Sequence, residues 1–427
     1  MMAGVSSIWQ EDVSIKIMEK IVQKISIGDY IRMGAVCKSW RRIIANVKPS
    51  HDVQVPWLLQ LKDCKYNHDT GFNFYSLSEG VFYSFKLPNH ILNKYPKAAA
   101  HEGDTFCCAT CDGWLVLVVG PDHDPDMFLF DPISEKDVKL PSLTTLASFP
   151  SFLDFVNLDD DDFKISLMVP TVQVFSTSDN NLIVAAIFMD VENEVDILGL
   201  CNCDINGVLE EERCWKIFDG GRIDGGRIVR YESMLFHNDA LYALIELEDN
   251  DCFDLDKRIG DEINRVVVLD ERTEVKVKLI NIVKDTTAYH IRGANYSNEV
   301  HHISYCGLKY VYLTRSIKGE LLIIWNKTDP LSKHEEEDIY HTSKLMIERY
   351  EGVCKTNEDF EPITSLGDQA VFVSPNSSSF SIPATSGCQS NCIYFTVDML
   401  DTLYKKSLIL YRQSDLDGTH ISSLSSH

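Results

Sequence analysis

The sequence predicts a mainly β protein, with a small α-helical module at the N-terminus and then a β-propeller-like domain of about six or seven four-stranded blades. Three observations carry this. The charge changes sign near residue 50. The hydrophobic pattern passes from a helical period to short strand-sized runs after residue 70. Those runs repeat loosely at about 45–50 residues, the spacing of propeller blades.

The chain has 427 residues, with 64 acidic and 40 basic side chains and a formal net charge of -24. Residues 1–50 hold eight basic side chains (Lys16, Lys20, Lys24, Arg32, Lys38, Arg41, Arg42, Lys48) and four acidic ones (Glu11, Asp12, Glu19, Asp29). That segment is +4, which leaves -28 on residues 51–427. Binding to nucleic-acid phosphates needs a basic face, so a nucleic-acid partner is not expected. At 44% hydrophobic and 24% charged residues, the composition is that of a packed globular protein. No apolar run approaches the ~20 residues that span a bilayer, so no membrane partner is expected. The opening MMAGVSSIWQED has neither the basic flank nor the apolar core of a secretory signal. The thirteen cysteines then read as reduced thiols, and the expected setting is nucleus or cytoplasm.

Residues 12–46 read as helix. Val13, Ile17, Met18, Ile21, Val22 and Ile25 form one apolar stripe of period 3.6, with Lys16, Glu19, Lys20, Gln23 and Lys24 on the other face. Gly28-Asp29 breaks the run, and Asp29 is placed to cap a following helix. A second apolar set follows at Ile31, Met33, Val36, Cys37, Trp40, Ile43 and Ile44. A cluster this small has little core of its own and gains by burying its stripe on a partner. Each stripe residue therefore has two readings, internal core or partner contact.

After residue 70, β-rich runs recur between Gly, Pro, Asn and Asp punctuation: Trp114–Val119, Met127–Phe130, Leu182–Met189, Ile197–Cys201, Ala240–Ile245, Val266–Leu269, Tyr310–Thr314, Leu321–Trp325, Ala370–Val373, Ile393–Thr396 and Ser407–Arg412. Many pair as hairpins, which suits propeller blades. A pair of β-sandwiches is the second architecture compatible with the pattern.

A resemblance emerges from the motifs in order. Residues 13–46, above all Asp29–Trp40 followed by Arg41-Arg42, resemble an F-box. Pro56-Trp57-Leu58-Leu59, Gly113-Trp114-Leu115, Asp131-Pro132-Ile133-Ser134 with Leu140-Pro141, and Asn391–Thr396 with Asp398 resemble the signatures of plant F-box proteins with a KIB-type β-propeller. The resemblance implies an F-box domain over 8–48, a linker over 49–70, a propeller over 71–415 and a tail over 416–427. It also implies a substrate-recognition subunit of an SCF-type cullin-RING ubiquitin ligase. The F-box would dock a Skp-family adaptor, and through it cullin, while the propeller recruits a protein target, for which some relatives suggest a kinase. The adaptor contacts expected are Val13, Ser14, Ile17, Met18, Ile21, Val22, Ile25, Val36, Cys37 and Trp40. F-boxes usually begin Leu-Pro and an acidic residue, where this chain has Val13, Ser14 and Lys16. Serine can cap a helix start with its hydroxyl, so the change is structurally tolerable.

No catalytic, cofactor or metal residue is expected. Cys107, Cys108 and Cys111 with His101 and His123 lack a second ligand pair at zinc-finger spacing. Cys201/Cys203 and Cys388/Cys392 read as packing, and His301-His302 as structural or solvated. GGRIDGGRI at 220–228 fits no phosphate loop and reads as a connection between blades, while Asp159–Asp162 reads as a solvated loop. Two other functions are compatible with the sequence: an F-box-like module acting outside the ligase, and a propeller hydrolase with acidic residues in its channel.

Overall fold

The computed structural model describes residues 14–44, 57–60, 71–87, 90–91, 105–119, 126–143, 171–177, 181–190, 195–204, 214–218, 222–223, 226–247, 259–269, 273–282, 308–328, 342–350, 360–374, 378–384, 388–396, 408–412 and 422–424. Three helices come first: α1 (Ser14–Val22), α2 (Ile27–Val36) and α3 (Lys38–Ile44). Among the described residues the strands that follow form six antiparallel or mixed sheets in chain order.

Blade 1 contains β1 (Trp57–Gln60), β2 (Gly71–Ser76) and β3 (Val81–Lys86). Blade 2 is a meander of β4 (Thr105–Cys111), β5 (Trp114–Val119), β6 (Asp126–Asp131) and β7 (Lys136–Lys139). Blade 3 has β8 (Thr171–Ser176), β9 (Asn181–Asp190), β10 (Val195–Asp204) and β11 (Lys216–Phe218). Blade 4 has five strands, β12 (Arg222–Ile223), β13 (Gly226–His237), β14 (Ala240–Leu247), β15 (Ile259–Val268) and β16 (Glu274–Ile282), and β16 inserts parallel to β14 so that β15 lies at the edge. Blade 5 is β17 (Leu308–Arg315), β18 (Leu321–Thr328), β19 (Thr342–Tyr350) and β20 (Phe360–Pro362). Blade 6 holds β21 (Gln369–Val373), β22 (Phe380–Pro383), β23 (Cys392–Thr396), β24 (Leu408–Arg412) and β25 (Ser422–Leu424), with β21 parallel to β23.

The four-strand expectation holds for three of these sheets; two have five described strands and one has three. Two sequence expectations change. Trp57–Gln60, inside the stretch read as a linker, is β1 and pairs with β2. Four residues are too few to show an alternating pattern. The glycine-rich 220–228 string carries a strand pairing, since Arg222 and Ile223 of β12 lie opposite Arg227 and Gly226.

The long apolar runs have a simple cause. Alternate residues of each central strand face opposite neighbours, so both faces are dry and the run reads as continuous. On β5, Trp114, Val116 and Val118 pack toward blade 3, while Leu115, Leu117 and Val119 pack toward blade 1. On β9, Leu182, Val184, Ala186 and Phe188 face blade 2, and Ile183, Ala185 and Ile187 face blade 4. The same split continues through β14, β18 and β21. Leu58 and Leu77 of blade 1 then close the circle on Phe372 and Tyr394 of blade 6. Six dry layers between neighbouring sheets make a ring, which excludes the two-sandwich alternative.

Side chains from one blade also satisfy backbone donors on the next. The Val174 N–H donates to Cys111 Sγ at 3.1 Å, Tyr231 N–H to Asp196 Oδ2 at 2.9 Å, Leu313 N–H to Ser233 Oγ at 3.0 Å and Ile317 N–H to Gln369 Oε1 at 2.9 Å. Cys111 is thus an inter-blade acceptor, and burial pushes its thiol far up. Cys201 and Cys203 are buried neighbours with their sulfurs 3.7 Å apart, in agreement with the packing reading.

Burial pushes Asp196 up to about 6, against the Tyr231 N–H, which favours the ionised form. A carboxyl whose folded pKa lies above its unfolded value binds more protons when folded, so its contribution falls as pH rises through roughly 4 to 6. Wild type should therefore lose stability, relative to Asp196→Asn, as pH rises from 4 to 7. Thermal melts of the two chains across that range check the slope difference.

Gly199 of β10 has a different reason to be glycine. A Cβ there would lie 2.7 Å from Phe188 Cε2 and 3.2 Å from Trp215 Cε3. Neither ring can yield: the pair is edge-on at 5.0 Å, and the Trp215 indole N–H donates to the Pro141 carbonyl at 3.0 Å. Gly199→Ala should cost about 1–3 kcal/mol by overpacking, read as a lower urea midpoint.

Candidate protein-docking site

The helical module is built around two local devices. Ser26 caps α2, its Oγ accepting the Asp29 N–H at 3.1 Å, so Asp29 belongs to the first turn rather than to the cap position the sequence suggested. At the α2–α3 corner, the Trp40 N–H reaches Cys37 Sγ at 3.5 Å, and Arg41 Nε donates to the Gly34 carbonyl at 3.1 Å. The Cys37 side chain thus ties off the start of α3 while remaining exposed.

The apolar stripe of α1 divides into two faces. Val22 is fully buried and packs with Tyr30, flanked by Ile25, Ile31 and Met33. Met18 is buried as well. Ile17 and Ile21 point outward, 51% and 41% exposed, and Val36 and Trp40 are 62% and 37% exposed. Four of the ten exposed large hydrophobics among the described residues therefore come from residues 14–44. That density on so small a module marks a face built to be covered. Lys20, Lys38, Arg41 and Arg42 are exposed on the same helices and Lys24 in the turn after α1, so the module is positive as well as apolar.

Of the expected adaptor contacts, Ile17, Ile21, Val36, Cys37 and Trp40 are available at the surface. Met18 and Val22 are corrected to core, because a stripe that wraps a thin helix cannot all face one way, and Ile25, just past α1, is half-buried against the same cluster. Ser14 begins α1, with its side chain outside the described set, and Val13 lies outside the described residues.

A second set of contacts, invisible in the sequence, joins this module to the propeller. The Ser26 hydroxyl donates to Glu79 Oε1 at 3.0 Å, Arg32 Nη2 pairs with Glu79 Oε2 at 3.2 Å and donates to the Tyr83 hydroxyl at 2.8 Å, and the Tyr83 hydroxyl donates to Glu79. The Tyr83 hydrogen bond, helped by those of Ser26 and Arg32, holds the Glu79 carboxyl below the usual carboxylate range, against its partial burial. Tyr83 itself is stacked on Trp57 at 4.4 Å. Beside these, Ile133 in the β6–β7 turn packs into the Val22–Tyr30 cluster. That turn is tied by Asp131, whose Oδ1 accepts the Ile133 and Ser134 N–H groups at 2.9 and 3.2 Å and whose Oδ2 accepts the Ser134 hydroxyl at 2.7 Å. Burial and the charge of Asp131 push the Tyr30 phenol up.

On the propeller, no group of three or more metal-ligating side chains occurs among the described residues. His101, His123, His301, His302 and Asp159–Asp162 lie outside the described residues, and nothing is described of the Cys107 and Cys108 side chains.

Comparison with known proteins supplies the rest. The F-box domain description matches residues 11–52, and the KIB1-4 beta-propeller description matches residues 74–417. No curated protein matches the chain. Among solved structures, an α-L-arabinanase of Penicillium chrysogenum complexed with arabinobiose overlays with a TM-score of 0.26 at 8% identity, covering 76% of this chain and 80% of that one. An endo-arabinase of Bacteroides thetaiotaomicron overlays with a TM-score of 0.24 at 8% identity, covering 88% and 93%. Overlays this weak carry no argument about fold or activity. The family match spans most of the chain, and the six-sheet ring and the helical module are where it places them: the chain belongs to the KIB1-4 β-propeller family and carries an N-terminal F-box.

Proposed function

We propose that the chain is a non-catalytic substrate-recognition subunit of an SCF-type ubiquitin ligase. F-box domains generally bind Skp-type adaptors. The observation that carries the reading is the exposed apolar set Ile17, Ile21, Val36 and Trp40 on an F-box anchored to a propeller. The adaptor covers that set, the surrounding lysines and arginines steer it to an acidic surface, and the propeller holds a protein target for ubiquitin transfer by proximity. The setting for this role is a reducing nucleus or cytoplasm. The test is co-purification of the full chain with a recombinant Skp-family adaptor and cullin. Retention of both supports the reading. A chain that captures cellular proteins through its propeller but leaves the adaptor unbound instead favours an F-box-like module outside the ligase, and the Ser14 and Lys16 departures motivate that second reading.

A further inference from the structure

We propose that the β2–β3 end of blade 1 and the Asp131–Ser134 turn of blade 2 form a two-point seat that completes the F-box core and fixes its direction relative to the propeller. The F-box is short of interior. Its hydrophobic centre is Val22 and Tyr30, and one of the side chains closing that centre, Ile133, belongs to the propeller. The first point of the seat is polar: Glu79 receives hydrogen bonds from Ser26, Arg32 and Tyr83. The second point is apolar, Ile133 held out by the Asp131-tied turn. A single contact would leave the helices free to swivel. Two contacts on two different blades remove that rotation.

Gly28 is the key to the first point. It is buried within α2, and a Cβ there would collide with the Tyr83 hydroxyl and come within 2.5 Å of Glu79 Oε1. Tyr83 cannot swing away without breaking its stack on Trp57. The family signature at Asp131–Ser134 is thereby assigned to holding the F-box, not to reading a target. Glu79 and Ile133 are positioning residues, acting through the helices they seat.

The consequence for ubiquitin transfer rests on the ligase reading; the seat itself does not. Hydrogen exchange on the full chain tests the seat directly. Gly28→Ala and Ile133→Ala should each raise exchange of the α1–α3 amides by about tenfold or more, while β9 and β18 keep wild-type protection. Glu79→Gln keeps a single acceptor oxygen, for Ser26 or Tyr83 but not both, and loses the charge facing Arg32, so its exchange should fall between wild type and Glu79→Ala, which should follow Gly28→Ala. Wild-type exchange of α1–α3 in both Gly28→Ala and Ile133→Ala overturns the seat. The second measurement is mass-spectrometric mapping of propeller lysines modified when chain, adaptor, cullin and RING subunit are reconstituted. Wild type should modify a restricted set, and Gly28→Ala should spread modification over further lysines. An unchanged set with raised exchange overturns the claim that the seat fixes direction. A wild-type chain that never binds the adaptor defeats the ligase reading instead, and exchange still decides the seat.

Discussion

On the proposed adaptor reading, Ile17→Asp combined with Ile21→Asp should abolish adaptor capture while leaving the three helices folded. Both side chains are already about half exposed, so charging them removes little buried surface from the free protein. Covered by a partner, each isoleucine contributes on the order of 1 kcal/mol of further apolar burial, and each new carboxylate must be stripped of water. Together these exceed about 3 kcal/mol, more than a hundredfold in affinity. Quantitative pull-down or calorimetry with the recombinant adaptor reads the loss directly. The control is Val22→Asp, which should unfold the helices because Val22 is fully buried. Adaptor binding that survives the Ile17/Ile21 double change would remove this face from the docking site.

Trp325→Ala should be among the most destabilising single changes in the propeller. Trp325 is 1% exposed and packs in the layer between blades 4 and 5 with Leu235, Tyr242, Val311 and Leu313. Its indole N–H donates to Glu348 Oε2 at 2.7 Å, so truncation opens a cavity and removes a hydrogen bond from a half-buried carboxylate. The expected cost is about 3–5 kcal/mol, seen as a shift of the urea midpoint at unchanged slope. Trp325→Phe keeps most of the volume and should recover more than half of the loss. A midpoint within experimental scatter of wild type would contradict the packing described for this layer.

Much of the propeller is legible in the sequence because its central strands are dry on both faces. The runs around Trp114–Val119, Leu182–Met189 and Leu321–Trp325 announce themselves by length and apolarity alone. Other strands do not. Thr342–Tyr350 alternates polar and apolar residues irregularly, and the edge strand Phe360–Pro362 is three residues long, so neither rises above its surroundings. The F-box helices were readable by period, but the side each residue faces was not. Ile17 and Met18 are adjacent in the chain, and only the tertiary packing of α1 leaves the first exposed and the second buried. The Ser26–Asp29 cap was available as a local pattern, whereas the partnership of Ser26 with Glu79, 53 residues away, has no local trace.

Blade 1 is made only of strands near the start of the chain and blade 6 only of strands near its end, so among the described residues no sheet is shared between the two termini. The ring therefore has a seam, zipped by side-chain packing of Leu58 and Leu77 against blade 6 and bridged to blade 2 by the Ser378 N–H to Thr110 carbonyl bond at 3.0 Å. Every other pair of neighbouring blades is joined by the chain as well as by packing, whereas at the seam noncovalent contacts alone hold the two lips together. When the seam opens, the F-box, anchored on blades 1 and 2, stays with the blade-1 lip of the ring.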